Sequence, residues 1–503
     1  MARQSILSYF PRHLTPRDVQ RDPLLALEEH WDRANVFVVN LPVSSGKSAI
    51  AMTLINWQRH GKVITPTKLL VNQYQDEYPY IHVMRGKNEY YCQSLGKKLS
   101  ERTKKEGDLC HTRLNCSGCE KYKKDLYQSQ NSPFVLSNYF VYLAYGLTSS
   151  AETLIVDEAH NLISTLQEMH AKKIWHKDLQ YPPGLETREQ IRDFFNNIPK
   201  DYYSNLFKRG HGKKKRGVAN PIEFKLYDKI QKFKTELNSE RPKYMFEMGT
   251  DKYRGEELDC IKMLPLDIRT EPEILWSSTK KMVLLSATLS RKDIEQLGIA
   301  DKKIQYIEAD SPIRAELRPV IVPDACANMS LAKQRENLPL LAEYIQAIAD
   351  ERPDVKGLVH VTYGLAEQLR QLLPSDRFIW HTRSNKGEQY QAFRATEEPK
   401  VLMASGMYEG IDLPYDAGRW QVITKVPWPY LGDPAIKYLC SLDNEWYAWE
   451  AIKDILQACG RICRTPTDFG ESFIFDKSFL RLYSQNNGLF PEWFRNSVWL
   501  PET

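Results

Sequence analysis

Leu154-Ile155-Val156-Asp157-Glu158-Ala159-His160 is an apolar run that ends in two adjacent carboxylates, the arrangement a Mg²⁺-nucleotide hydrolase needs at the end of a strand. Upstream, Pro42-Val43-Ser44-Ser45-Gly46-Lys47-Ser48 lies between the mostly apolar Val36 to Leu41 and the helix-like Ala49 to Trp57. That is a strand-to-helix turn, where a phosphate loop belongs. Backbone N–H groups of such a turn, with the positive end of the following helix, cradle the β-phosphate. Lys47 then reaches the β- and γ-oxygens and Ser48 offers its hydroxyl to Mg²⁺. Asp157 completes the metal site, and Glu158 polarises the attacking water as general base. The strict loop pattern fails where its first glycine falls on Leu41, and Ser44 and Ser45 stand where such loops often carry glycine. Gly46-Lys47-Ser48 alone would also suit an ordinary turn before a core helix. The downstream carboxylates, at a spacing that allows several βα units, favour the nucleotide site.

The chain has 503 residues, enough for three or four domains and a large core. Its formal net charge is only +5, so the overall balance does not argue for nucleic acid. Between Arg85 and Lys124, however, eleven Lys/Arg face five Asp/Glu, a local excess that suits a phosphate backbone as well as an ordinary solvated face. No run of 18 apolar residues and no secretory leader is present, so an intracellular protein without a membrane span is expected, in cytoplasm or nucleoid if the source is prokaryotic or viral. Nine cysteines, an odd number, argue for reduced thiols rather than a disulfide framework. Four of them, Cys92, Cys110, Cys116 and Cys119, fall within 28 residues of polar and basic sequence. A four-thiolate metal site is expected there, and zinc and an iron-sulfur cluster both fit.

The second half supplies a further set of strands and charged turns. Val283 to Leu289 is an apolar strand ending in Ser286-Ala287-Thr288, hydroxyls suited to relaying nucleotide state. Gly357 to Thr362 and Val401 to Gly406 read as strands of a second α/β unit, and the loop after the latter carries Glu409 and Asp412 around Gly410. Gln457-Ala458-Cys459-Gly460-Arg461-Ile462-Cys463-Arg464 predicts two arginines three apart on one helical face. Guanidinium forks supplied from a second domain would make phosphoryl transfer depend on domain closure.

Taken in order, these motifs resemble those of the XPD/DinG-like iron-sulfur DNA helicases of superfamily 2, over nearly the whole chain. Thr15 to Gln20 is similar to the family's adenine-reading motif, with Gln20 as base contact. Pro42 to Ser48, Thr65-Pro66-Thr67, Asp157 to His160, Ser286 to Thr288, Gly406 to Asp412 and Gln457 to Arg464 resemble motifs I, Ia, II, III, V and VI. The resemblance implies catalytic roles for Lys47, Asp157, Glu158, Gln457, Arg461 and Arg464. It implies nucleotide contacts from Gln20, Ser44, Ser45, Gly46, Lys47, Ser48 and Asp412, and Mg²⁺ held by Ser48 and Asp157. It also tips the metal at Cys92, Cys110, Cys116 and Cys119 to a 4Fe-4S cluster. The implied activity is ATP-driven 5′→3′ translocation on single-stranded DNA with unwinding of forked duplex or DNA–RNA hybrid, in repair or replication. The alternative is a DNA-stimulated translocase or clamp-recruited remodelling factor that separates strands little.

The implied fold is α/β, with two RecA-like motor domains, an inserted four-cysteine iron-sulfur domain and a mainly helical arch insertion. Motor domain 1 would comprise 12–84, 126–165 and 275–310. The cysteine domain would span 85–125, the arch 166–274 and motor domain 2 311–503. Pro182, Pro183, Pro199, Pro221 and Pro242 interrupt helical periodicity in the arch, and Lys208 to Gly217 carries six cations. The tail 1–11 contains Gln4-Ser5-Ile6-Leu7-Ser8-Tyr9-Phe10, a Q-x-x-L-x-x-F pattern resembling sliding-clamp peptides, in which Gln4, Leu7 and Phe10 would make the contacts. The same apolar residues could instead pack on motor domain 1. A monomer is expected.

Overall fold

The computed structural model describes residues 4–42, 45–98, 120–144, 152–185, 187–202, 205, 221–253, 256–269, 275, 279–382, 385–407, 411 and 413–501. Two seven-stranded parallel sheets organise it. The first runs, in spatial order, Ile304–Glu308, Val36–Asn40, Lys281–Ser286, Thr153–Asp157, Gly61–Thr65, Phe134–Asn138 and His82–Val83. Its strands are parallel throughout, which requires helices over both faces and explains why the central strands read as continuous apolar runs. Phe37 and Val39 enter one core with Ile50, Ile55, Ile155 and Leu285. Val36 and Val38 enter the opposite core with Leu154, Val156, Leu162 and Leu284. The carboxyl ends of Val36–Asn40, Thr153–Asp157 and Lys281–Ser286 therefore lie side by side, in register from Asn40 to Ser286 and from Leu285 to Asp157. In open α/β sheets that edge is where ligands bind.

The second sheet runs Phe378–Ile379, Val401–Ser405, Gly357–Val361, Trp420–Ile423, Glu471–Ile474, Val320–Ile321 and Val498–Trp499, again all parallel. Gly357 is required here, because a Cβ would lie 2.2 Å from the Trp420 ring. Helix Asn444–Cys459 buries Ile452, Ile455 and Leu456 against Ile423 and Ile474 of this sheet. The two sheets' domains meet at Asp293, a buried carboxylate on helix Arg291–Gln296. It accepts from Trp449 Nε1 (3.1 Å) and pairs with Lys453 Nζ (3.4 Å), both on helix Asn444–Cys459. Lys292 and Asp443 add a 2.8 Å ion pair beside it.

The arch-like insertion corrects the expectation of a mainly helical unit. Among the described residues, Lys172–Trp175, Glu256–Pro265 and Tyr244–Tyr253 form a three-stranded antiparallel sheet, covered by helices Arg188–Asn197 and Pro221–Leu237. The physical cause is a period of two. Tyr244, Phe246 and Met248 on one strand, with Ile261 and Met263 on its neighbour, face the aromatic core built on Phe195 and Phe233. Lys208 to Gly217 lies outside the described residues.

Helix Glu120–Asn131 runs through the expected boundary at 125/126, and helix Asn161–Met169 through that at 165/166. At the N-terminus Ile6–Tyr9 forms a 3₁₀ turn whose Ile6 (0% exposed) and Phe10 (8%) are in the first sheet's core. Gln4 is exposed and Leu7 half-buried, so a clamp could engage this peptide fully only by drawing Phe10 out of the core. No helix among the described residues is long and apolar enough to cross a membrane.

Candidate nucleotide site

Gly46 closes the loop after Val36–Asn40 with φ +78°, a left-handed conformation that a Cβ would disfavour, and that Cβ would lie 2.2 Å from Gln20 Nε2. Lys47 and Ser48 open helix Lys47–Gln58, so both sit at its positive end. Ser45 Oγ is buried without a hydrogen-bond partner among the described residues, as a hydroxyl awaiting a phosphate would be. Val43 and Ser44 lie outside the described residues.

Gln20 is buried against this loop. Its amide donates to Gly46 O (3.4 Å) and accepts from Arg17 N (3.0 Å), capping helix Asp18–His30. Gln20 therefore lies next to this loop with its amide engaged by backbone.

The carboxylates face the loop from Thr153–Asp157. Lys47 Nζ lies 3.3 Å from Glu158 Oε1, with the two side chains 9% and 28% exposed. Glu158 itself has φ +51°, an uncommon conformation for a non-glycine residue and one that concentrates at functional sites. Tyr139 anchors the turn by donating its hydroxyl to the carbonyls of Asp157 and Glu158. Asp157 Oδ1 accepts from Glu158 N (3.0 Å) and Oδ2 from Tyr74 Oη (3.0 Å). Burial, then the neighbouring Glu158, raises Asp157 to about 6. Burial also pushes Glu158 upward, but Lys47, His160 and Arg461 outweigh it and hold Glu158 below the ordinary carboxylate value. Two carboxylates beside one lysine, with the Ser48 hydroxyl nearby, form a hard oxygen donor set that suits Mg²⁺ with phosphate.

The second sheet's domain reaches the same place. His160 Nδ1 contacts Ser286 Oγ (2.9 Å) and lies 3.6 Å from Glu158 Oε2. Gln457 Nε2 lies 3.5 Å from His160 Nε2 and 3.4 Å from Thr288 Oγ1. Gln457 Oε1 accepts from Arg461 Nη2 (3.2 Å), whose Nη1 donates to Ile411 O (3.1 Å). A buried polar chain thus joins Glu158 to Arg461 across the domain boundary. Arg464 is directed elsewhere: Nη1 donates to Gly460 O (2.9 Å) and its backbone N–H to Asp468 (2.8 Å).

The arginine motif differs from its expected shape. Helix Asn444–Cys459 ends before Arg461, so the two arginines do not share a helical face. Gly460 terminates the helix, and the fully buried Asp468 captures the N–H groups of Arg464 and Tyr415. Asp412 lies outside the described residues, as do Cys110, Cys116 and Cys119. Cys92 is buried in the hairpin of Tyr91–Cys92 and Lys97–Lys98, against Tyr90, Leu95 and Tyr122.

The family model described as "Helicase C-terminal domain" matches residues 358–497, and the one described as "Type III restriction enzyme, res subunit" matches 13–196. The "Regulator of telomere elongation helicase 1 homolog" of Drosophila ananassae is 32% identical over 111 residues, covering 19% of this chain and 11% of that protein. Its Caenorhabditis elegans counterpart is 30% identical over 106 residues, covering 18% and 10%. The matched region is therefore only about a tenth of the length of these relatives. The solved structure titled "XPD_Helicase" matches with TM-score 0.62 and 16% identity over 97% of this chain and 100% of that one. S. tokodaii Xpd4 matches with TM-score 0.60 and 13% identity over 97% and 100%, and both likenesses concern the fold. The chain thus carries a match to a helicase C-terminal domain and one to a ResIII-type domain, and its fold resembles that of the XPD structures.

The fold opposes ionisation of Asp157, chiefly by burying it. Its carboxyl titrates near 6 in the fold against 3.8 ordinarily, so the fold favours the protonated form. Its contribution to stability is full below about pH 4, falls as pH rises through 6 and is absent above. The shift corresponds to about 2–3 kcal/mol at neutral pH. Asp157→Asn is expected to abolish ATP turnover yet raise the melting temperature at pH 7.5 by several degrees, with the gain shrinking toward pH 5. Thermal melts at both pH values without Mg²⁺ or nucleotide would refute this if the mutant's advantage were absent or independent of pH.

Proposed function

We propose that this chain is an ATP-dependent DNA helicase that translocates 5′→3′ on single-stranded DNA and unwinds the duplex, or a DNA–RNA hybrid, ahead of it. The observation that carries the reading is the buried chain from Lys47 and Glu158 through His160 and Gln457 to Arg461, which spans both motor domains. Without nucleotide, Lys47 is paired with Glu158. The phosphates of ATP, arriving at the amino end of helix Lys47–Gln58, draw Lys47 away. Glu158 is then free to accept the proton of the attacking water. Arg461, held as a fork between Ile411 O and Gln457, is poised to neutralise charge on the transferring phosphoryl group from the second domain. Arg464 would have to leave Gly460 O to join it.

Ser48 and Asp157 are the residues that would hold Mg²⁺, which supplies charge neutralisation on the β- and γ-oxygens when bound. Cys92, Cys110, Cys116 and Cys119 would hold a 4Fe-4S cluster whose role is to staple an otherwise polar insertion. The buried thiol of Cys92 fits a ligand position. Gln20 and Asp412 would complete the nucleotide contacts. Tyr91, the most exposed aromatic ring near Cys92, is available to stack a base, whereas Tyr90 and Tyr122 pack edge to face at 5.4 Å.

The test is strand displacement, with ATP, of duplexes bearing a 5′ or a 3′ single-stranded tail. The expected result is unwinding of the 5′-tailed substrate alone, lost in Cys116→Ser. A 3′ preference overturns the polarity. ATP turnover without displacement would make the protein a translocase.

A further inference from the structure

We propose that Tyr74 is a positioning residue that holds Asp157, a side chain meant for Mg²⁺, in its ligating orientation, with Tyr78 packed beside it as a ring alone. The inference rests on the proposed Mg²⁺-ATP reading of that site. Both tyrosines come from the segment Lys68–Tyr78, the helix Lys68–Glu77 and its C-cap, and stand four residues apart, on one face. Their rings lie 6.1 Å apart and both are buried, Tyr74 at 2% exposure and Tyr78 at 0%. Tyr74 Oη donates to Asp157 Oδ2 at 3.0 Å. Tyr78 Oη donates to Glu77 Oε1 at 2.9 Å.

A core helix needs apolar rings at these two positions but has no use for the Tyr74 hydroxyl. Phenylalanine would fill the same volume without a buried polar atom. One Asp157 oxygen is fixed by Tyr74 and the other by Glu158 N, which leaves the carboxylate a single rotamer with lone pairs free on both oxygens. This outer layer resembles the way supporting hydrogen bonds orient the ligands of other metal sites. The helix is capped by Thr67 Oγ1, which accepts from Leu70 N (3.2 Å) and belongs to the Thr65-Pro66-Thr67 stretch. The ligand support is therefore rigidly connected to that stretch.

The test is ADP affinity by calorimetry, with and without Mg²⁺, for the full-length wild type, Tyr74→Phe and Tyr78→Phe. The quantity read is the gain in ADP affinity that Mg²⁺ confers. Tyr74→Phe is expected to reduce this gain by about five- to tenfold, the worth of one hydrogen bond to a charged group, while ADP affinity without Mg²⁺ stays unchanged. Tyr78→Phe, which removes a hydroxyl bonded to Glu77, should leave the gain within about twofold of the wild type and serves as the control for a buried ring on the same helix face. An unchanged gain in Tyr74→Phe overturns the proposal. An equal loss of affinity with and without the metal also overturns it, because the hydroxyl would then only maintain packing. A wild type without any Mg²⁺-dependent gain overturns the nucleotide reading itself, and the positioning role with it.

Discussion

Lys47→Ala is expected to lower ATP turnover by at least about 10²–10³-fold. Two losses combine. The cation that would follow the γ-phosphate is gone, and Glu158 loses the 3.3 Å partner that opposes its burial. The second loss gives the substitution a signature beyond inactivity. Glu158, released from Lys47, should titrate at higher pH than in the wild type, because burial then dominates. Glu158→Gln should also abolish turnover, since an amide cannot accept the proton of water, yet it keeps Lys47 for the phosphates. Nucleotide affinity measured by calorimetry should therefore fall in Lys47→Ala and persist in Glu158→Gln. Equal affinity in the two variants would contradict the assignment of Lys47 to the phosphates.

Arg461→Ala is the second large effect, expected at about 10³-fold in turnover with nucleotide affinity changed by no more than a few-fold. The reason is position. Arg461 is attached to the second domain through Ile411 O and Gln457, not to the phosphate loop, so it contributes only when the domains close on a reacting phosphoryl group. Lysine should not substitute for it. A single ammonium lacks the planar fork that spans the Ile411 carbonyl and Gln457 while keeping a face for the phosphate. Arg464→Ala should cost less in the nucleotide-free protein, where that side chain rests on Gly460 O. Turnover of Arg461→Ala within about threefold of wild type would remove the arginine from the catalytic account.

Much of this was legible in the sequence because parallel strands buried on both faces leave an unmistakable apolar run. The apolar runs Val36 to Leu41, Leu154 to Asp157 and Val283 to Leu289 predict strands; the strands Val36–Asn40, Thr153–Asp157 and Lys281–Ser286 lie adjacent in one sheet, which brings Lys47, Asp157, Glu158 and Ser286 to one edge. Two features of the structure differ from what the sequence predicts, each for a physical reason. In the arch, prolines hid the helices, while the alternation of Tyr244, Phe246 and Met248 was a strand signal passed over in favour of the implied helical arch. At Gln457 to Arg464 the i, i+3 spacing suggested one helical face, but Gly460 and the buried Asp468 end the helix inside the motif.

The supporting tyrosines were not legible as functional residues. Tyr74, Tyr78 and Tyr139 follow helical or strand-end spacing that any core aromatic satisfies, and only the structure reveals which polar tips they touch. A buried tyrosine usually finds a hydrogen-bond partner. Two tyrosines at i, i+4 on an apolar face were therefore a signal that a polar site lay opposite. Gln20 is a related case: its place beside Gly46 could be anticipated, but not its engagement with the Gly46 carbonyl.

The measurement that bears most directly on the central claim, a nucleotide site completed by both motor domains, is steady-state ATP hydrolysis with and without single-stranded DNA. It should compare wild type, Lys47→Ala and Arg461→Ala at fixed Mg²⁺. The predicted result is wild-type turnover that rises with DNA and is erased by either substitution, one from each domain. Hydrolysis that survives Arg461→Ala, or a wild type that hydrolyses no ATP with DNA present, would contradict it.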